Sequence, residues 1–241
     1  MPRRFCCQLL VAFAFIALAR FGLKAEKQDN ESIRIAIIMP MVLSGSGCKL
    51  CSRNVLAVVQ AIDVINNKTD GFFDDLLPNN RLEYEFYDTK GDPKHGAILA
   101  GRVMANAFGG KGADVIIGAG FSSVSIILAT ILNSFNKPMI SPLSTSGSLG
   151  SDKFTNFMRT VPADDLLVLG MVRFAKYYVG WNVACIISGT DEYSINGGDS
   201  LVDAAKENGI NILQREFFVN GAPDMTAATD RMVLTGSKLF F

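Results

Sequence analysis

From residue 33 onward the apolar positions alternate between two periods. Ile33 to Met39 is a nearly continuous apolar run that ends at Pro40, which reads as a buried strand, and a Gly/Ser loop follows. Asn54 to Asn66 then places Leu56, Val59, Ile62 and Ile65 at helical spacing. Leu82 to Tyr87 alternates apolar with acidic residues as a strand, and His95 to Phe108 is helical. Val115 to Ile117 is a short strand, Ser123 to Phe135 a helix and Pro138 to Ile140 a further strand. This β-α-β-α-β-α-β rhythm predicts an α/β fold built on a doubly wound parallel sheet with right-handed crossovers.

The rhythm breaks at the polar stretch 148–156, and Phe157 to Val161 is a lone extended piece ending at Pro162. A second β/α run follows: Asp165 to Tyr178 helical, Asn182 to Ser188 a strand, Ser200 to Asn208 helical and Ile210 to Phe217 a strand. The stretch from Arg159 to Pro162 therefore reads as a crossing between two lobes, with a ligand expected between them. The boundaries are 26–161 for the first lobe and 162–241 for an incomplete second one.

Residues 1–25 read as an address. Arg3 and Arg4 precede an apolar run from Phe5 to Ala19, and the small residues Ala17-Leu18-Ala19 follow a signal-peptide pattern, with cleavage after Ala19 or Ala25. The run is short for a bilayer span, so an uncleaved anchor is the weaker alternative. In the secretory pathway Asn30-Glu31-Ser32 and Asn67-Lys68-Thr69 become glycan acceptors.

The balance of 23 basic and 23 acidic residues offers no basic stripe, which excludes nucleic acid as a partner. Of the five cysteines, Cys6 and Cys7 leave with the signal. Cys48-Lys49-Leu50-Cys51 has spacing suited to metal ligation, redox exchange or a small disulfide in a loop. With a single histidine, His95, a four-ligand zinc site is not expected, and an oxidising compartment favours a local disulfide or a bond to a residue not in this chain. Cys185 lies in an apolar strand and reads as a buried small hydrophobe.

The chemistry concentrates in two serine-bearing turns, Gly118 to Ser125 and Ser141 to Ser148, each just after a short apolar run. A parallel sheet presents such turns at its carboxyl edge, where open α/β sheets bind small molecules. The first turn also opens a helix, whose free N–H groups attract negative charge, so a carboxylate is the expected guest. No cofactor is implied. A serine hydrolase with Ser122 as nucleophile is a remote alternative: the Val at 124 replaces the second glycine of the G-x-S-x-G elbow, and His95 is the one available base. Gly118-Ala119-Gly120 lacks the third glycine of the dinucleotide fingerprint.

Four segments in order, Phe86 to Pro93, Phe121 to Ser125, Ser151 to Pro162 and Gly180 to Val183, resemble the extracellular ligand-binding region of class C G-protein-coupled receptors. The nearest likeness is to the GABA-B and metabotropic glutamate types. Natriuretic-peptide receptors and bacterial amino-acid binding proteins share the same two-lobed, periplasmic-binding-protein type I fold. The resemblance runs from about Ile33 to the end of the chain.

The resemblance implies that Ser122, with Ser123 beside it, binds a ligand carboxylate and that hydroxyls at Ser144 and Thr145 complete the grip. It also implies that Asp164 helps hold an amino group, as in glutamate-type receptors, and that Tyr193 closes over the ligand from the second lobe. Without the family, Asp164 reads as a helix cap and Tyr193 as a surface turn aromatic. The two cysteine positions that GABA-B receptors join are Gly91 and Phe121 here, and the loop 41–52 lacks their ligand-covering aromatic.

The family domain crosses between lobes three times, whereas this chain crosses once. It is therefore expected to be a fragment or truncated product whose second lobe exposes apolar area and which alone binds its small amino-acid-like ligand weakly or not at all. The parent receptor would be membrane-bound, facing outward, and dimeric through the first lobe. A secreted amino-acid binding protein and a natriuretic-receptor-like ectodomain are the alternatives.

Overall fold

A computed structural model describes residues 31–43, 46–219 and 224–241, without the side chains of 42, 43 and 46. The leader, Cys6, Cys7 and Asn30 lie outside the described residues. The described chain divides into two compact units: residues up to Ser144 with Asp152–Val161, and Thr145–Ser151 with Pro162–Phe241.

The first unit runs β1 (Ile33–Met39), α1 (Lys49–Asn66), β2 (Leu82–Asp88), α2 (Pro93–Ala105), β3 (Val115–Gly118), α3 (Ser122–Ser134), β4 (Met139–Ser141) and β5 (Phe157–Arg159). Its sheet has the order β2-β1-β3-β4-β5, and every neighbouring pair is parallel. The order reverses direction between β1 and β3, so right-handed crossovers send α1 to one face and α2 and α3 to the other. Strand alternation serves both faces. Ile35, Ile37 and Met39 pack with Val58, Ile62 and Ile65 of α1, while Ala36 and Ile38, pointing the other way, are equally buried. On that side α2 and α3 pack closely: a Cβ on Gly96 would sit 2.8 Å from Val124 Cγ1.

Polar clamps fix the ends of these elements. Asn66, at the end of α1, donates to the Leu82 carbonyl at 2.9 Å and accepts from its N–H at 2.8 Å. Arg34 donates from Nε and Nη2 to the Asp114 carboxylate at 2.9 and 2.8 Å, tying β1 to the segment entering β3. Pro93 opens α2 and Asp92 caps it, accepting from the Lys94 N–H at 2.9 Å. Helix α1 begins at Lys49, five positions before the apolar periodicity starts, because Cys48 serves as its N-cap. The cysteine pair therefore belongs to a helix end and not to a loop.

The second unit contains α4 (Asp164–Arg173), a π-helical turn (Phe174–Val179), β6 (Val183–Gly189), α5 (Glu192–Glu207), β7 (Asn211–Phe218) and α6 (Thr226–Val233). Gly180, at φ 81°, ends the π turn in the left-handed region that glycine tolerates. Strands β6 and β7 are parallel, and Leu239 and Phe241 add backbone hydrogen bonds along the free edge of β6. Val168, Val172, Ala175, Ala184, Ala205 and Leu239 form its core. Cys185 is fully buried, its Sγ 3.2 Å from Thr235 Oγ1.

Helix α5 starts at Glu192, eight positions before the apolar pattern does. Asp191 caps it by accepting from the Ser194 N–H at 3.1 Å, and the polar first turns carry no periodic signal. A stripe at helical spacing, Leu167, Met171, Phe174 and Tyr178, stays exposed on the outer side of α4 and the π turn. Among the described residues no helix is long and apolar enough to cross a membrane.

Candidate functional site

Strand β3 ends at Gly118, whose φ is 144° and where a Cβ would lie 1.9 Å from the Ile38 carbonyl oxygen. A residue with no side chain is the only fit for that approach of β3 to β1. Ala119, next along, is held on both polar groups. Its N–H donates to Ser125 Oγ at 3.1 Å, and its carbonyl accepts from Ser141 Oγ at 2.7 Å and Ser144 Oγ at 3.2 Å. The Ser125 and Ser144 hydroxyls lie 2.7 Å apart, and the Ser144 N–H donates to Ser141 Oγ at 2.9 Å.

Within the first unit this network joins the turn after β3 to Ser141 and Ser144. Ser144 is fully buried, and its hydroxyl bonds Ala119 and Ser125, so it supports the turn. Ser125 and Ser141, which sequence reasoning passed over, belong to the same scaffold and are also fully buried. Serines following a strand were the signal; which hydroxyls point inward was not.

Ser122 and Ser123 occupy the first two positions of α3, after Phe121, which contributes no side-chain cap. Ser122 is nearly buried and Ser123 half-buried. The Val124 and Ser125 N–H groups both bond the Phe121 carbonyl, at 3.1 and 2.9 Å, closing the first turn. The opening N–H groups of a helix have no acceptor within it, and this 13-residue helix adds its dipole to them. Such an end, with two hydroxyls at its mouth, has the chemistry to hold a carboxylate.

Thr145, Asp164 and Tyr193 are brought together within the second unit. The Asp164 N–H donates to the Thr145 carbonyl at 2.9 Å, and Thr145 Oγ1 lies 3.4 Å from the Tyr193 hydroxyl. Burial, then the neighbouring Asp164 carboxylate, raises the Tyr193 phenol above its ordinary value against the opposing Thr145 bond, so it stays a neutral donor. Asp164 is the first residue of α4, after Ala163, so it is a first-turn acid and not a cap. Tyr193 lies in the first turn of α5 and not in a surface turn.

Asp164 and Tyr193, without Thr145, border a cavity of about 290 Å³ within the second unit, lined also by Ser146, Asp165, Asn196 and Asp203 among others. No lysine or arginine lines it, so its walls favour a cationic group. Gly147 lets the 3₁₀ turn Gly147–Gly150 approach, since a Cβ there would meet both Asp165 carboxylate oxygens at 2.5 Å. Asn196 and Asp203 sit on α5 and, lacking motif or periodicity, gave no sequence signal.

Cys48 and Cys51 are joined to each other. Among the described residues no group of three His, Cys, Asp or Glu side chains is placed to hold a metal ion.

The family described as "Receptor family ligand binding region" matches residues 53–236, most of the chain. The chain belongs to this family. Its relatives point to the class C receptors. It is 30% identical to metabotropic glutamate receptor 4 of Rattus norvegicus over 237 residues, covering 84% of this chain and 25% of that receptor. It is 32% identical to the probable metabotropic glutamate receptor mgl-1 of Caenorhabditis elegans over 124 residues, 51% of this chain and 12% of the receptor. The human G-protein coupled receptor family C group 6 member A is 29% identical, over 67% of this chain and 18% of its own.

The chain thus spans at most a quarter of these relatives' lengths. Among solved structures, the substrate-binding protein of an ABC transporter from Desulfitobacterium hafniense, in complex with Leu, superposes with a TM-score of 0.65 at 22% identity. It covers 87% of this chain and 58% of its own, and it establishes the periplasmic-binding-protein-like α/β fold. These relatives are receptors and a substrate-binding protein, and none of them lends support to the hydrolase alternative.

Proposed function

We propose that this ligand-binding region recognises a small amino-acid-type ligand through two half-sites of opposite preference. Ser122, Ser123 and the α3 N-terminus take the carboxylate. Thr145, Asp164 and Tyr193, beside an acid-lined cavity, take the ammonium group. The observation that carries this reading is the Ala119-centred network, which fixes the mouth of α3 before any ligand arrives, so little ordering is lost on binding. Glutamate receptors and a leucine complex among the relatives support an amino-acid ligand.

The parent protein is read as a membrane receptor with this region outside the cell, dimeric through its first lobe. Asn67 carries a glycan in that setting: it is exposed at the end of α1, and Thr69 Oγ1 donates to its side-chain oxygen at 2.9 Å. A GABA-B-like specificity is the second reading, against which stand Gly91 and Phe121 at the positions where GABA-B receptors join two cysteines.

Amide NMR of the mature chain titrated with leucine, glutamate and 4-aminobutyrate tests this. The expected result is weak, saturable movement of the Ser122 and Ser123 amides with one of the three. Ser122→Ala should weaken it about tenfold, the loss of one charge-assisted hydrogen bond. Movement with 4-aminobutyrate alone selects the GABA-B reading. Titrations in which those amides stay still while others respond would show that the carboxylate assignment is wrong.

A further inference from the structure

The Cys48–Cys51 disulfide occupies a position the ligand reading does not use. Cys48 is the N-cap of α1, an 18-residue helix, and its Sγ accepts the Cys51 N–H at 3.2 Å. The two cysteines differ in access: Cys48 is half-exposed, whereas Cys51 is 3% exposed. The first turn of α1 has no acidic residue, and Lys49 and the exposed Arg53 flank the pair. The Cys48 N–H also donates to the Met41 carbonyl at 2.8 Å, and the Met41 N–H to Asp88 Oδ1 at 2.8 Å. The backbone of Cys48 therefore ties the start of α1 to Met41, just past the end of β1.

We propose that Cys48 and Cys51 form an exchange-active dithiol–disulfide pair that reacts with small-molecule or protein thiols, with Cys48 as the attacked and attacking sulfur and Cys51 as the resolving one. The inference is independent of the amino-acid reading. An external thiolate attacks Cys48 Sγ, forming a mixed disulfide and expelling Cys51 as thiolate, which takes a proton from water. A second external thiolate attacks the outer sulfur of the mixed disulfide, releasing the external pair as its own disulfide and leaving Cys48 as thiolate. One protein disulfide is thus reduced and two external thiols oxidised.

The geometry favours each part. The half-exposed Cys48 is the one reached first, and as thiolate it gains the Cys51 N–H and the positive end of a long helix whose own first turn carries no carboxylate, with Asp88 held one hydrogen bond further off on the Met41 N–H. The buried sulfur stays three residues away, poised to reclose the ring. A disulfide that only staples the fold would resist the glutathione pool.

The test equilibrates the full mature chain, made in a secretory host, with glutathione buffers. Acid quenching, alkylation and peptide mapping then assign label to Cys48, Cys51 or Cys185. The expected result is half-reduction of the pair within about a hundredfold range of reduced-to-oxidised glutathione, with a mixed disulfide trapped on Cys48. A pair that stays closed across that range, or a mixed disulfide on Cys51, overturns the proposal. In Cys51→Ser, alkylation of the remaining Cys48 thiol should titrate about one pH unit or more below the ordinary value near 8.5, and Lys49→Glu should move it back up. A midpoint at or above that value sinks the proposal as well. Should Cys51→Ser fail to fold, the glutathione experiment decides alone.

Discussion

The two units use the same β/α alphabet to different ends. The first buries a five-stranded sheet on both faces and spends three serine hydroxyls on holding one alanine peptide still. The second has a two-stranded sheet with one further edge segment, and its α4 is apolar on both sides. Val168, Val172 and Ala175 face the core while Leu167, Met171, Phe174 and Tyr178 stay exposed, with the Phe174 and Tyr178 rings stacked at 5.5 Å. Rigidity at a binding edge needs a sheet wide enough to be covered on both faces. A narrow sheet leaves part of its apolar complement in water, and an exposed apolar surface of that kind marks an interaction face.

The sharpest way to break the contrast is at Gly118. Gly118→Ala must move a Cβ off the Ile38 carbonyl oxygen, which it would otherwise approach to 1.9 Å, from a backbone angle of 144°. The expected cost is about 3–4 kcal/mol, and urea unfolding followed by fluorescence of the single Trp181, in the second unit, against far-UV circular dichroism of the whole chain should show the first unit failing separately.

The next largest effect comes from making one substitution twice. Leu128 on α3 is fully buried, so Leu128→Ala should cost about 3 kcal/mol. Leu167→Ala on α4 removes the same atoms from a side chain that is 64% exposed and should change stability by less than about 0.5 kcal/mol while improving solubility. Denaturation midpoints of the pair give the comparison. A large loss at Leu167 would show that the outer stripe is covered in solution.

The sequence made the first unit legible almost element by element, because a parallel sheet covered on both faces writes itself as unbroken apolar runs such as Ile35 to Met39. Helix starts were less visible. Those of α1 and α5 rest on Cys48 and Asp191 as caps, and residues such as Glu192 to Gly197 bury little to create a periodicity. The serine turns at the carboxyl edge of the sheet were legible in kind, since serines after a strand can be read. The division of labour between Ser122 and Ser144 was not, because it depends on the direction of each hydroxyl around Ala119. Asp165, Asn196 and Asp203 reach their shared cavity only through tertiary packing.

The smallest contrast to sharpen is acid sensitivity. In the second unit the Arg231 guanidinium, and then Gln214, hold the Glu216 carboxyl down from 4.5 to about 2. Arg231 donates from Nε at 2.8 Å and from Nη2 at 2.6 Å, linking α6 to β7. A carboxyl whose folded value lies below its unfolded one adds stability above the unfolded value and loses it as pH falls through the folded one. The contribution of this pair is therefore complete above about pH 4.5 and gone near pH 2. Melting the chain across that window should show the Trp181 signal weakening, and Glu216→Gln should flatten that part of its pH dependence while lowering its stability near neutrality. An unchanged acid profile in Glu216→Gln would place the acid sensitivity of the second unit in other carboxylates.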